Sequence, residues 1–536
     1  MRQPPDSIAT ITAPTLRQWL SDGDEIALLD VREAGEFGEG HPFFAIPLPY
    51  SRLELDLHRL VPRGDTRIVV LDGGDGIAER AALRLLALGY TQVHCLAGGA
   101  PAWTQAGYTL FQGVNLPSKT FGELVEHACG TPHMSAADLQ ARQSAGEALV
   151  LLDGRSFEEH QRMTLPGAVS VPNGELALHW RALAPDARTP IVVHCAGRTR
   201  SIIGAQILRS LGVPNPVFAL ENGTQGWALA GLPLTRGSTR RACAPQSVHA
   251  DDRAAAARVA ARAGVPLLTP QQAQAWLDDE RRTTYVFDIR SAEEFAAASL
   301  AGARHAAGGQ LLQASDQYIG VRGGRVLLLD DEAVRAPVVA AWLRRLGYES
   351  AVVQGGIHAA LRPPITTAFT LPELPELLPA QLREWVAQNT PLLLDLQPSL
   401  AFRRQHASGA RWALRPRLQR VAPAPGPGAR SLLLLAADAA LAQLAAIDLR
   451  EAGWREVCWA SLESWVAAGL PTQSTPDLPT DAEAIDYLFF VHDRHEGNLD
   501  AARRYLAWET GLIAQCAPDE LSVFTPDERQ AANIHI

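Results

Sequence analysis

Val192-Val193-His194-Cys195-Ala196-Gly197-Arg198-Thr199-Arg200-Ser201 reads as an apolar strand that stops at a cysteine, turns through a short cationic loop and enters a helix predicted over Ser201 to Leu211. In a parallel α/β sheet the carboxyl end of a strand faces the ligand crevice, and the loop after it aims successive backbone N–H groups there. A cysteine following Val-Val is usually a small buried hydrophobe. Ala-Gly-Arg-Thr-Arg, however, is too polar and too cationic to continue a core. The N–H nest, the helix amino end and the arginines at 198 and 200 all favour negative charge on the sulfur, so Cys195 is the candidate nucleophile.

The same strand pattern recurs. Leu28-Leu29-Asp30-Val31-Arg32, Leu151-Leu152-Asp153-Gly154-Arg155, Val286-Phe287-Asp288-Ile289-Arg290 and Leu393-Leu394-Asp395-Leu396-Gln397 each form an apolar run ending in Asp, with Arg two residues on in three of the four. Counting 42 residues from Asp153 gives Cys195, from Asp30 gives Asp72 and from Asp288 gives Asp330, while 41 from Asp395 gives Ala436. A further 17 residues lead to Gly89, Gly212, Gly347 and Gly453, where a helix should end on a left-handed cap. A short strand follows at Val93, Val217, Val352 and Val457, then a tryptophan at Trp103, Trp227 and Trp465 in three of the units.

Such alternation predicts an α/β protein of four tandem copies, each a parallel sheet with helices on both faces. The copies are placed at 5–115, 131–237, 261–364 and 378–473, joined by linkers rich in Pro, Ser, Thr and Ala, with a C-terminal helical extension at 474–536. Leu499 to Ile513 reads there as an amphipathic helix able to dock on a neighbouring domain or subunit.

Composition limits the partners. The chain has 536 residues, 48 basic against 58 acidic, and a net charge of −10, which gives no general attraction to nucleic acid or to an anionic membrane. Met1 to Ile11 lacks the pattern of a signal peptide and no apolar run is long enough to span a bilayer, so a cytoplasmic location is expected. The six cysteines are scattered without a CxxC pair or metal-ligand spacing, and reduced thiols are expected. His492 and His495, in a charged turn, read as solvated side chains. No metal and no cofactor are expected.

With these residues in view, the repeats resemble rhodanese domains, and the chain is similar to tandem four-domain rhodaneses, the thiosulfate sulfurtransferase family, over about four fifths of its length. The most specific part is the second repeat, with Asp153-Gly154-Arg155, Phe157-Glu158-Glu159, Leu165-Pro166-Gly167-Ala168, the Cys195 loop and Glu221-Asn222-Gly223-Thr224-Gln225-Gly226-Trp227. One departure is Thr164, where the family frequently has His before the Pro-Gly-Ala turn.

The resemblance implies that Cys195 takes the outer sulfur of thiosulfate, releases sulfite, and holds a persulfide until a thiophilic acceptor such as cyanide or a thiol removes it. Catalysis is then expected from Cys195, with substrate bound by Ala196, Gly197, Arg198, Thr199, Arg200 and Ser201 and structural support from the Asp153 and Arg155 pair. The two arginines match the sulfonate end of a doubly charged donor, and the backbone nest stabilises the persulfide.

Two other readings stand beside this one. A persulfide-carrying module that delivers or senses sulfur with a protein partner would use the same cysteine without sustained turnover. A cysteine-dependent phosphatase needs five residues between Cys and Arg, whereas Arg200 follows Cys195 after four, Ala196 to Thr199.

The remaining repeats are expected to be inactive, because Asp72, Asp330 and Ala436 cannot carry a persulfide and a carboxylate there would repel thiosulfate. Gly73-Gly74-Asp75-Gly76 and Asp331-Glu332-Ala333-Val334 also contain no arginine. These repeats and the tail are candidate surfaces for a homodimer. Asn173-Gly174-Glu175 is a candidate pocket lining, and Trp227 is read as core. Cys95 and Cys458 read as buried, while Cys129 and Cys243, in the linkers beside repeat 2, are candidate relay thiols.

Overall fold

The computed structural model describes residues 8–527 except 185, 244, 246, 366–368, 427–430 and 496. The predicted start of the first repeat at 5–7 and the end of the tail at 528–536 therefore lie outside the described residues.

Each strand that ends in Asp pairs in parallel with the strand predicted about forty residues later. Asp30 lies opposite Leu71, Asp153 opposite His194, Asp288 opposite Leu329 and Asp395 opposite Leu435. The next residue in each case is Asp72, Cys195, Asp330 or Ala436, so the four stand at one topological position, just beyond a central strand.

In repeat 2 the five strands run in the order His133–Met134, Val217–Leu220, Ile191–His194, Val150–Asp153, Val169–Ser170. Repeats 1 and 3 have the same order. The fourth sheet has four strands, Arg411–Trp412, Leu392–Asp395, Leu432–Leu435 and Val457–Ala460, in the same sequence of neighbours. Its outer strand shrinks to one bridge between Glu376 and Trp459 beside Pro375, which has no N–H to give to a ladder.

The crossover helices end as expected, with Gly89, Gly212, Gly347 and Gly453 at φ of 95, 76, 96 and 101°, a conformation in which a side chain is strained. Trp103, Trp227 and Trp465 are buried, and each indole N–H donates to a carbonyl six residues on, Thr109, Pro233 or Pro471, at 3.0, 3.0 and 2.9 Å.

Two segments expected as linkers are helices instead. Leu116–Cys129 buries Leu116, Phe121 and Val125, and Ala250–Arg262 buries Ala255, Ala256 and Val259. Both pack against the helix Thr199–Leu211. Their alanines and spaced apolar residues supply a helical stripe that needs a partner, and repeat 2 provides it. One apolar cluster therefore runs through repeats 1 to 3 and both helices, while repeat 4 keeps its own. Repeat 4 joins repeat 1 through Arg415, buried between Glu54 at 2.5 and 2.8 Å and Asp448 at 3.1 Å. Among the described residues no helix is long and apolar enough to cross a membrane.

Candidate active site

The helix after Cys195 begins at Thr199, two residues earlier than expected, so the loop proper is Cys195 to Arg198 and Arg200 sits in the first helical turn. Cys195 is 3% exposed. The hydroxyl of Ser201 donates to its Sγ at 3.1 Å, which places a hydrogen-bond donor on the sulfur from the helix side.

A second element clamps the loop. Thr224 N–H donates to the Cys195 carbonyl at 2.8 Å, and Gln225 donates to the Ala196 carbonyl through its backbone at 3.1 Å and its side-chain amide at 3.0 Å. This approach needs glycine at 223. Its φ is +51°, and a Cβ there would stand 2.2 Å from the Cys195 carbonyl oxygen. Gly99 and Gly356 hold the same place against Asp72 and Asp330.

Behind the loop the Asp153 carboxylate is fully buried. It accepts from Arg155 Nε and Nη2 at 2.9 and 2.7 Å and from Thr164 Oγ1 at 2.8 Å, with His160 Nδ1 at 3.1 Å. Arg155 also donates to the Met163 carbonyl at 2.5 Å, so the pair ties the strand end to the turn before Thr164. Asp30 with Arg32 and Asp288 with Arg290 repeat the geometry, and Gln397 takes the arginine's place on Asp395. Burial pushes His194 down to about 4, leaving a neutral ring beneath the cysteine.

The loop arginines do not stand free as anion ligands. Arg198 is held by Glu123 at 2.8 and 2.9 Å and by Glu126, both on the helix Leu116–Cys129. Arg200 makes a two-point pair with Glu159 at 2.6 and 2.7 Å. Repeat 3 contains the equivalent of this second pair. Arg335 follows Asp330 after the same interval and pairs with Glu294 at 2.8 Å on both nitrogens. The expectation of an arginine-free loop in repeat 3 is thus corrected, because its arginine lies one residue past the stretch taken as the loop.

Asn173, the candidate pocket residue, instead donates to the Arg200 carbonyl at 2.9 Å. Gly174 touches the backbone of Gly308 and Gly309 in repeat 3, and Glu175 pairs with Arg335 at 3.1 Å.

The loops without a cysteine show what the turn of this architecture can hold. The Asp72 carboxylate accepts from the backbone N–H groups of Gly74, Gly76 and Ala78 at 2.8, 3.0 and 3.0 Å. The Asp330 carboxylate accepts from Ala333, Val334 and Ala336 at 3.2, 3.0 and 3.0 Å. In repeat 2 the corresponding turn runs over Gly197 to Ser201.

Cover is the other contrast. Gly73 to Gly76 are exposed and so are Asp331 and Ala333, whereas Ala196, Gly197 and Thr199 are buried. The difference comes from the helix Leu116–Cys129, whose Gly122 lies against Thr199, and from the tail helix Leu499–Thr510. Its Glu509 accepts from Thr199 Oγ1 at 2.9 Å and from Lys119 Nζ at 3.1 Å, and Lys119 also bonds the Tyr505 hydroxyl. Nothing local in the sequence linked residues 119 and 509 to a loop at 195.

The other thiols lie elsewhere. Burial pushes Cys95 and Cys516 up to about 12. Cys458 is half-buried, Cys129 donates to the Pro526 carbonyl at 3.3 Å, and Cys243 is exposed. His492 lies against the Tyr487 ring, with centroids 5.0 Å apart, and the side chain of His495 lies outside the described residues.

Comparison with known proteins gives a consistent result. The family model for the rhodanese-like domain matches residues 12–106, 135–230 and 269–362. A crystal structure of thiosulfate sulfurtransferase from Pseudomonas aeruginosa superposes with a TM-score of 0.87 at 40% identity, covering 97% of this chain and 99% of that one. SseB of Mycobacterium tuberculosis, provisionally described as a thiosulfate sulfurtransferase, is 27% identical over 203 residues, 31% of this chain and 71% of that protein. An HTH-type transcriptional regulator of the same organism is 35% identical over 113 residues, 20% of this chain, and the match spans only 48% of the regulator.

Proposed function

Since the chain belongs to the rhodanese-like domain family, we propose that it is a sulfurtransferase moving a sulfane sulfur from thiosulfate or a related persulfide donor to cyanide or a thiol through a persulfide on Cys195. The thiolate attacks the outer sulfur, the donor's S–S bond breaks, and sulfite leaves with the electron pair. A thiophilic acceptor then attacks the outer sulfur of the persulfide, and Cys195 departs as thiolate. No cofactor is needed for either displacement.

The observation that carries this reading is the pair of Asp-filled loops. An Asp oxygen stands two bonds beyond Cβ, as does the outer sulfur of a cysteine persulfide, whose longer bonds carry it further toward the same turn. In repeats 1 and 3 the carboxylate at that position takes three backbone N–H donors, one on the first oxygen and two on the second. The equivalent turn after Cys195 is built to hold a persulfide anion. Arg200 follows Cys195 after four residues where a cysteine-dependent phosphatase needs five, which sets the phosphatase reading aside.

Intact mass tests the assignment. Thiosulfate should add one sulfur atom to the protein, cyanide should remove it as thiocyanate, and Cys195→Ser should prevent the addition while leaving the fold unchanged. Residual sulfur loading in that variant would move the nucleophile elsewhere. A protein that loads sulfur but forms no thiocyanate over many turnovers would instead be the sulfur-delivery module acting with a partner.

A further inference from the structure

We infer that Glu509 of the tail helix is a specificity-determining residue of the Cys195 site: its buried carboxylate, set against Gly197, disfavours a doubly charged sulfur donor relative to one of lower charge. The inference rests on Cys195 being the sulfur carrier.

The tail helix forms one wall of the loop. A Cβ built on Gly197 would lie 2.9 Å from Glu509 Oε2 and 3.8 Å from the Tyr505 ring, so the helix sits on the loop backbone itself. Glu509 is 1% exposed. Its Oε1 takes the bonds from Thr199 and Lys119, while its Oε2 is buried without a hydrogen-bond partner on the Gly197 side. Leaving a carboxylate oxygen unpaired in the interior is costly, and proteins retain such groups mainly where they act on something else.

The charges around the loop are matched. Arg198 faces Glu123 and Glu126, Arg200 faces Glu159, and Lys119 faces Glu509. Burial opposes a charge on Glu509, yet Lys119 and Arg494 hold its carboxyl below the ordinary range, so it stands ionised. The site is therefore not the strongly positive trap that two loop arginines suggest. Repulsion from a fixed carboxylate grows with the charge of the incoming molecule, so a dianion is penalised twice as much as a monoanion and a neutral molecule not at all. The loops of repeats 1 and 3 are more exposed, and it is Arg253 of the helix Ala250–Arg262, a cation, that reaches the repeat 3 loop, donating to the Glu332 carbonyl at 2.9 Å.

Glu509→Gln in the full chain tests this by removing the charge and keeping the shape. Cys195 alkylation is followed by peptide mass, because the exposed Cys243 will react as well, with neutral iodoacetamide and anionic iodoacetate as paired probes. The iodoacetate-to-iodoacetamide rate ratio should rise about fivefold with the iodoacetamide rate within about twofold, and sulfur loading from thiosulfate should speed up about tenfold. An unchanged ratio overturns the inference.

Should E509Q release the helix, both reagents will accelerate together, and Lys119→Gln then decides. It removes the nearer of the two cations acting on Glu509, so the ratio should fall about threefold, and a ratio that stays put overturns the inference as well. Absence of sulfur loading in the parent protein would sink the sulfurtransferase reading, while the alkylation ratio would still report on Glu509.

Discussion

In repeats 1 and 3 the residue after the central strand is aspartate, and its carboxylate is fastened by the N–H groups of the turn that follows; in repeat 2 it is Cys195, whose sulfur receives a bond from Ser201. The three loops share the strand end, the Asp–Arg brace behind it and the glycine that admits the clamping turn. In repeats 1 and 3 the backbone of the turn binds the carboxylate, whereas in repeat 2 the Ser201 N–H goes to the Arg198 carbonyl and the sulfur takes the Ser201 hydroxyl. What differs is the side chain placed there, a carboxylate in repeats 1 and 3 and a thiol in repeat 2, where the proposed function puts a persulfide.

Exchanging the two residues should break this comparison with the largest effect. Cys195→Asp should place its carboxylate on the N–H groups of the turn from Gly197 to Ser201, keep the fold, and lower thiocyanate formation by at least about a thousandfold. Asp72→Cys should do the reverse, acquiring a sulfur atom from thiosulfate by mass in the exposed loop of repeat 1. A folded C195D protein that still turns over would show that the nest is not the persulfide site.

Ser201 sharpens the same contrast at a smaller scale. Repeats 1 and 3 have Ala78 and Ala336 at its position, where only the backbone N–H is used. Ser201→Ala makes repeat 2 like them and removes the hydroxyl donor from Sγ. Sulfur loading from thiosulfate should slow about tenfold, the size of one lost hydrogen bond to a charged group, with the melting temperature nearly unchanged. A change in the rate of cyanide attack alone would assign the hydroxyl to the persulfide rather than to the thiolate.

Much of this was legible in the chain because a repeated unit repeats its spacing. Forty-two residues from three of the four strand-ending Asp residues lead to the equivalent positions 72, 195 and 330 without any coordinates, and 41 from the fourth leads to 436. Arg335 was missed because the loop was read as ending at Val334, although the same count places it opposite Arg200. Asp72 and Asp330 read from the sequence only as groups that repel an anion, and the structure adds that their carboxylates occupy the N–H donors of their own turns. Glu123, Glu126, Lys119 and Glu509 were beyond reach for another reason. They come from a supposed linker and from the tail, and long-range packing of this kind leaves no periodic trace near Cys195.

The smallest expected effect concerns the two matching ion pairs. Arg200 draws Glu159 down to about 2 against the opposing effect of burial, and Arg335 does the same for Glu294, also to about 2, both from an ordinary value of 4.5. A depressed folded-state value means that each pair stabilises the protein above about pH 4.5 and loses that contribution as pH falls toward 2. Glu159 is 37% exposed and Glu294 34%, so water screens both. Glu159→Gln should therefore lower the melting temperature at neutral pH by only about 1–2 °C, a difference that vanishes near pH 2. Glu294→Gln should do less, because Arg335 keeps Glu175, Asp331 and Glu332 within 3.2 Å. Scanning calorimetry across pH 7 to 2 checks both variants. If Glu294→Gln proved the more costly, the pair in repeat 3 would be the principal brace and the pair beside Cys195 would be spared for substrate.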